Sequence, residues 1–183
     1  DPEAIGLLAL MLLQESRRHA RSTPAGDIVL LEDQDRSAWD AALIAEGQSL
    51  VRRAVATRDV GPYTVQAAIA AVHAGARTAA ETDWPQIAAL YAGLHAHEPT
   101  PVIRLNHAVA LAEAGDLSAA LTILASLEEP LADYQPYHAA RAELLARSGQ
   151  TATALDAYAR AIDLAASPAD AAFLARRRAR LLT

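Results

Sequence analysis

Residues 105–124 read LNHAVALAEAGDLSAALTIL, and residues 139–158 read AARAELLARSGQTATALDAY. Ala108, Leu111, Gly115, Ala120, Leu121 and Leu124 return 34 positions later as Ala142, Leu145, Gly149, Ala154, Leu155 and Tyr158. A period of about 34 residues is that of the tetratricopeptide repeat, in which two antiparallel helices meet at a tight turn. Small residues at the crossing (Ala108 with Ala120, Ala142 with Ala154) let the paired helices approach closely. Gly115 and Gly149 fall just past the first helix of each pair, where a left-handed backbone is required and glycine takes it at least cost.

Outward from these repeats, helix starts punctuate the chain. Asp1-Pro2-Glu3 is an N-cap, a proline at the first helical position and an acid in the first turn. The helix it opens is expected to run to about Arg21. Leu7, Leu8, Leu10, Met11, Leu12 and Leu13 make it apolar nearly all round, which predicts burial on several sides. Pro24 and Gly26 mark an ordered loop over 22–36, pinned by Ile28 to Leu31. Ser37 reads as the N-cap of a second helix reaching about Arg58, and Gly61-Pro62 opens a third. Asp83-Trp84-Pro85 opens a fourth that ends near His97.

The expected fold is all-α: antiparallel helix pairs stacked as a short tetratricopeptide-like right-handed superhelix of about nine helices. It is read as one domain, with a helical pair at 1–60, an irregular repeat at 61–99, two regular repeats at 100–167 and a capping helix at 168–183. A terminal repeat needs such a cap because its apolar face cannot be left in water.

Composition narrows the function classes. The 183 residues carry a net charge of −6, which disfavours sequence-independent binding to a phosphate backbone. All 16 basic residues are arginine, and with 52% hydrophobic residues the chain can bury a substantial core. There is no cysteine, so disulfides and thiolate metal sites are excluded. No apolar run is long enough to span a membrane. The chain opens at Asp1 without an initiator methionine, and is expected to be a piece of a longer protein.

The sequence carries few residues in patterns that perform chemistry. His95 and His97 stand about 200° apart on a helix and cannot share a metal. His73, His107 and His138 are each alone in sequence. Glu32, Asp33 and Asp35 form an acidic cluster before the second helix, but their spacing is not that of a calcium loop. No nucleophile elbow or phosphate-binding glycine pattern occurs. No metal, cofactor or catalytic residue is expected. Arg176, Arg177, Arg178 and Arg180 form a basic run that suits a helix C-terminus or a patch for an acidic partner.

One set of motifs carries a resemblance. Leu30-Leu31-Glu32-Asp33-Gln34-Asp35-Arg36-Ser37-Ala38-Trp39-Asp40 is followed by Ile44-Ala45-Glu46-Gly47, Ala67-Ala68-Ile69-Ala70-Ala71-Val72-His73, Thr82-Asp83-Trp84-Pro85 and Leu105-Asn106. These segments, spread over nearly the whole chain, resemble the C-terminal tetratricopeptide-like extension of bacterial RNA polymerase sigma factors of the extracytoplasmic-function type. His107 departs from the family pattern, which has arginine after the asparagine. The resemblance implies a cytoplasmic, non-catalytic regulatory module that touches the sigma regions of its own polypeptide, or RNA polymerase, without contacting nucleic acid or membrane. The expected contact residues are Asp33, Gln34, Asp35, Arg36 and Trp39, because loops on rigid scaffolds often carry function and tryptophan is enriched among binding hot spots. The competing reading of Trp39 and Trp84 is as core residues, with Arg17, Arg18 and Arg21 pairing internally with the acidic loop. If the loop is a docking surface, Asp35→Ala and Arg36→Ala should both leave the melting temperature nearly unchanged. Two other functions compete: a free-standing peptide-binding repeat protein, and a small-molecule-binding or hydrolytic domain using His73, Tyr91 or Asn106.

Overall fold

Caps and prolines set where the helices begin. In the computed structural model, which describes residues 1–182, the helices are α1 (Pro2–Glu15), α2 (Ala41–Ala56), α3 (Pro62–Gly75), α4 (Trp84–His97), α5 (Pro101–Glu113), α6 (Leu117–Ser126), α7 (Gln135–Arg147), α8 (Thr151–Asp163) and α9 (Pro168–Arg180). Six of them carry proline in the first turn, where its missing N–H costs nothing. Asp1, Asp40, Asp83, Thr100, Asp116 and Ser167 each accept an orphan amide of the first turn. The described residues are all-helical apart from turns and one isolated antiparallel bridge between Ser22 and Ile28.

Two expected boundaries move. α1 stops at Glu15, not near Arg21, because the Ser16 hydroxyl donates to the Leu13 carbonyl at 2.7 Å and the chain turns into a short 3-10 segment at Arg18–Ala20. The second helix is capped by Asp40, whose carboxylate accepts from Ala42 N (2.9 Å) and Leu43 N (3.0 Å). Ser37 lies instead in a 3-10 turn that Asp35 caps. That extra turn lets Trp39 enter the core ahead of the helix, where it is 6% exposed.

The chain divides into two compact units, Asp1–Pro99 and Thr100 onward. In the first, α1 packs on both α2 and α3, and α3 also packs on α4. The core of this unit joins Ala9, Leu13, Leu50, Val51 and Ala67. Glu3 of α1 acts as a remote cap for α3: its carboxylate accepts from Tyr63 N (2.8 Å), Thr64 N (3.0 Å) and the Thr64 hydroxyl (2.7 Å). Burial pushes the Glu3 carboxyl up, but the bonds from the Thr64 hydroxyl and the Tyr63 and Thr64 amides outweigh it and hold the group below the usual carboxylate range.

In the second unit the repeat predicts the geometry. Gly115 and Gly149 have φ of +100° and +80°. Beyond each glycine an amide reaches back five residues, Asp116 N to Leu111 O and Gln150 N to Leu145 O, both 2.9 Å. These are the same helix stop made twice. Ala108, Ala120, Ala142 and Ala154 are all 0% exposed, as close helix crossings require. α5 packs on α6, α7 on α8, and α9 on α8. Glu143 ties the last three helices together, accepting from Tyr158 Oη (3.0 Å) and from Arg177 Nη2 (2.9 Å).

Candidate functional site: the 31–39 loop and the faces of the first unit

The loop expected to dock a partner is built largely as a brace. Leu31–Asp33 and Arg36–Ala38 form two 3-10 turns separated by Gln34 and Asp35. Gln34 is buried and donates to the Val29 carbonyl at 3.3 Å. Arg36 turns inward. Its Nη1 donates to the carbonyls of His73 (2.6 Å) and Ala76 (2.9 Å), and its Nη2 to Thr82 Oγ1 (3.4 Å). It thus satisfies carbonyls at the end of α3, where a cation also suits the helix dipole. Trp39 lies under two guanidinium groups, Arg36 at 4.7 Å and Arg17 at 5.7 Å from its ring centroid. This packing leaves Gln34 Oε1, Arg36 Nε and Trp39 Nε1 buried without a protein partner, a cost the ring burial and cation–ring contacts offset.

Of the five residues expected to make contact, only Asp33 and Asp35 are exposed. The Asp35 carboxylate accepts from Ser37 Oγ (2.6 Å) and Ser37 N (2.9 Å), and these bonds, the hydroxyl first, lower its pKa. Arg18 pairs with Glu15 at 2.8 Å, Arg21 donates to the Gln14 carbonyl, and Arg17 donates to Gln14 Oε1 at 2.6 Å.

This geometry corrects the expected melting behaviour. Arg36→Ala removes three charge-assisted bonds and half of the clamp on Trp39, and is expected to cost ~2–3 kcal/mol. Asp35→Ala, at an exposed turn, should leave the melt nearly unchanged. Thermal denaturation of the two variants side by side checks the contrast; equal melting temperatures would return Arg36 to the surface role.

The basic run at the C-terminus is also partly consumed. Arg177 bonds Glu143 and lies 5.8 Å from the Phe173 ring, and Arg178 Nε donates to the Leu155 carbonyl. Arg176 and Arg180 are exposed. Among the described residues, no three His, Asp or Glu side chains converge as a metal site, and no helix is long and apolar enough to cross a membrane. Asn106 is exposed on α5.

The outer face of α1 is more exposed than its composition predicts. Leu7, Leu8 and Met11 are 39%, 47% and 60% exposed, although the composition of the helix predicts cover on several sides. α2 and α3 cover the side that carries Ala9 and Leu13, and the opposite residues are left as an apolar strip one turn long. The sequence signal is present: leucine and methionine on more faces than two neighbours can cover.

His73 and Tyr91 both line a cavity between α1, α3 and α4. His73 sits edge-to-face with Trp84 at 5.2 Å, and its pKa falls to about 4, through burial first and then the positive charges of Arg17 and Arg36. A histidine depressed in the folded state favours folding above its unfolded pKa, and that contribution fades as pH drops toward the folded value. Stability is therefore expected to fall by on the order of 3 kcal/mol between about pH 6.5 and pH 4. His73→Gln should flatten the upper part of this slope. Glu3, a depressed carboxylate, adds its own loss only below its unfolded pKa of about 4.5. Melting temperatures across this range for both proteins check the assignment.

Residues 1–55 match a family of unknown function, DUF6596. Over 174 residues the chain is 44% identical to an uncharacterized protein of Rhizobium meliloti (strain 1021), an alignment that takes in 95% of this chain and 41% of the relative. The chain thus spans about two fifths of that relative's length. No solved structure matches.

Proposed function

We propose that this chain is a non-catalytic, protein-interaction and regulatory module of an extracytoplasmic-function sigma factor. In this reading it modulates transcription initiation in the cytoplasm by contacting the sigma regions of its own polypeptide or RNA polymerase, and it needs no cofactor and touches no nucleic acid. The observation that carries the interaction role is the apolar strip Leu7, Leu8 and Met11, exposed on a helix anchored from behind by α2 and α3. Apolar surface on a rigid support, beside polar neighbours, is what a protein partner covers. The motifs at 30–47, 67–73, 82–85 and 105–106 support the choice of partner, and similarity to a relative more than twice as long is in keeping with a module of a larger protein.

The test uses the full reading frame in which residues 1–183 lie. Leu8→Glu with Met11→Glu places two charges on the strip while leaving the core side of α1 alone. Promoter-reporter output is expected to fall at least tenfold, a coupling loss of about 1.4 kcal/mol or more, with the melting temperature unchanged. A reading frame without sigma regions, or unaltered output from the double variant, would overturn the proposal.

A further inference from the structure

A cavity of about 240 Å³ opens in the first unit between α1, α3 and α4. α3 presents Gln66, Ile69 and His73 to it from one face, at helical spacing, while α1 and the turn after it supply Leu10, Gln14 and Arg17, and α4 supplies Tyr91. No Asp or Glu lines it. Arg17 is half-buried, and its protein partners are the Gln14 side chain and the Trp39 ring, neither of which carries a negative charge. Burial, then the charges of Arg21 and Arg36, lower its pKa, and no neighbouring carboxylate opposes that shift. A guanidinium drawn out of water without a counter-charge is costly, and an anion arriving at the cavity relieves that cost. Gln66 and the Tyr91 hydroxyl make no hydrogen bond to the described residues, so two more groups stand ready at the same wall.

We propose that this cavity binds a small organic monocarboxylate, with its carboxylate on Arg17 and its apolar body against Leu10 and Ile69. The charge balance selects a single negative charge. His73 is neutral near pH 7, and Arg17 is the one charged side chain in the lining. A phosphate monoester, at ≈ −1.5 to −2, would find only this one guanidinium to bond in the lining. Gln66 and Tyr91 then fix the orientation of the carboxylate, as a few placed polar groups do in an otherwise apolar pocket. This inference stands apart from the sigma-factor reading, since it needs no partner protein.

The test is titration calorimetry and thermal melting of the intact chain with hexanoate and phenylacetate, against phenylacetamide and inorganic phosphate. At least one of the two carboxylates is expected to bind and raise the melting temperature, and to bind at least tenfold more tightly than the amide or phosphate. Arg17→Met should abolish the preference for acid over amide, Arg17→Lys should restore part of it, and Tyr91→Phe with Gln66→Leu should weaken carboxylate binding without removing the charge preference. Because Arg17 also contacts Trp39, the Tyr91 and Gln66 variant keeps the idea testable if Arg17→Met is unstable. Absence of binding by both carboxylates, equal binding of acid and amide, phosphate binding as tight as carboxylate, or indifference to all of these substitutions would each overturn the proposal.

Discussion

Gly6→Leu is expected to unfold the first unit at temperatures where the parent chain is folded. A Cβ added at Gly6 would lie 2.6 Å from Thr64 Oγ1, 2.7 Å from Thr64 N and 2.8 Å from Thr64 Cα. Two of those atoms are backbone, and the amide and hydroxyl are held by the Glu3 carboxylate. Relief therefore requires α1 and α3 to separate. Separation breaks the remote cap on α3 and opens the Ala9, Leu13 and Ala67 core at the same time. Overpacking typically costs ~1–3 kcal/mol, and Gly6→Ala should already reach the top of that range. Leucine adds three more carbons at the same point. The matched control is Gly93→Ala in α4, where an added Cβ meets nothing within 4 Å. It should be neutral or stabilise by ~0.5–1 kcal/mol through helix propensity. Urea denaturation of the three variants decides the matter; a Gly6→Ala chain as stable as the parent would show that the helices slide apart freely.

The second large effect belongs to the other unit. Tyr137 is fully buried, in a cluster with Leu105, Ala108, Leu124 and Leu127. Its hydroxyl donates to the Leu124 carbonyl at 3.1 Å, bonding the start of α7 to α6, and its ring stands edge-to-face with His138 at 5.0 Å. Tyr137→Ala should cost ~3–5 kcal/mol, the range for an aromatic removed from a packed core. Tyr137→Phe keeps the ring and loses one neutral hydrogen bond, so ~1 kcal/mol is expected. Denaturant midpoints of the pair separate the packing contribution from the polar one. A loss near 1 kcal/mol for alanine would mean that α6 and α7 collapse into the vacated volume.

The two units differ in how far local signals carry. Around Gly115 and Gly149 the reading holds to the level of individual dihedrals, because a helix stop is decided within about six residues by one backbone conformation and two amide bonds. The loop at 31–39 is legible as important but not in orientation. Arg36 and Trp39 have the composition of a contact surface, and the same chemistry serves a brace once carbonyls from the end of α3 lie within reach. Those carbonyls are 37 and 40 residues away in sequence, beyond any local pattern. His73 and Tyr91 stand out in the sequence as candidate cleft residues, but their shared wall with Arg17 and Gln66 arises only from the packing of α1, α3 and α4.

Taken alone, the sequence determined that the chain is helical, where each pair reverses, and which small residues lie at the crossings, since propensity, caps and a 34-residue echo are properties of short segments. Only the tertiary structure decided which faces are covered. It set Gly6 against Thr64, turned Arg36 and Trp39 inward, left Leu7, Leu8 and Met11 in solvent and placed an uncompensated guanidinium at a cavity wall. The reason is geometric: spacing fixes the side of a helix on which a residue lies, but whether that side meets a neighbour, water or a ligand depends on where distant chain reversals place the other helices.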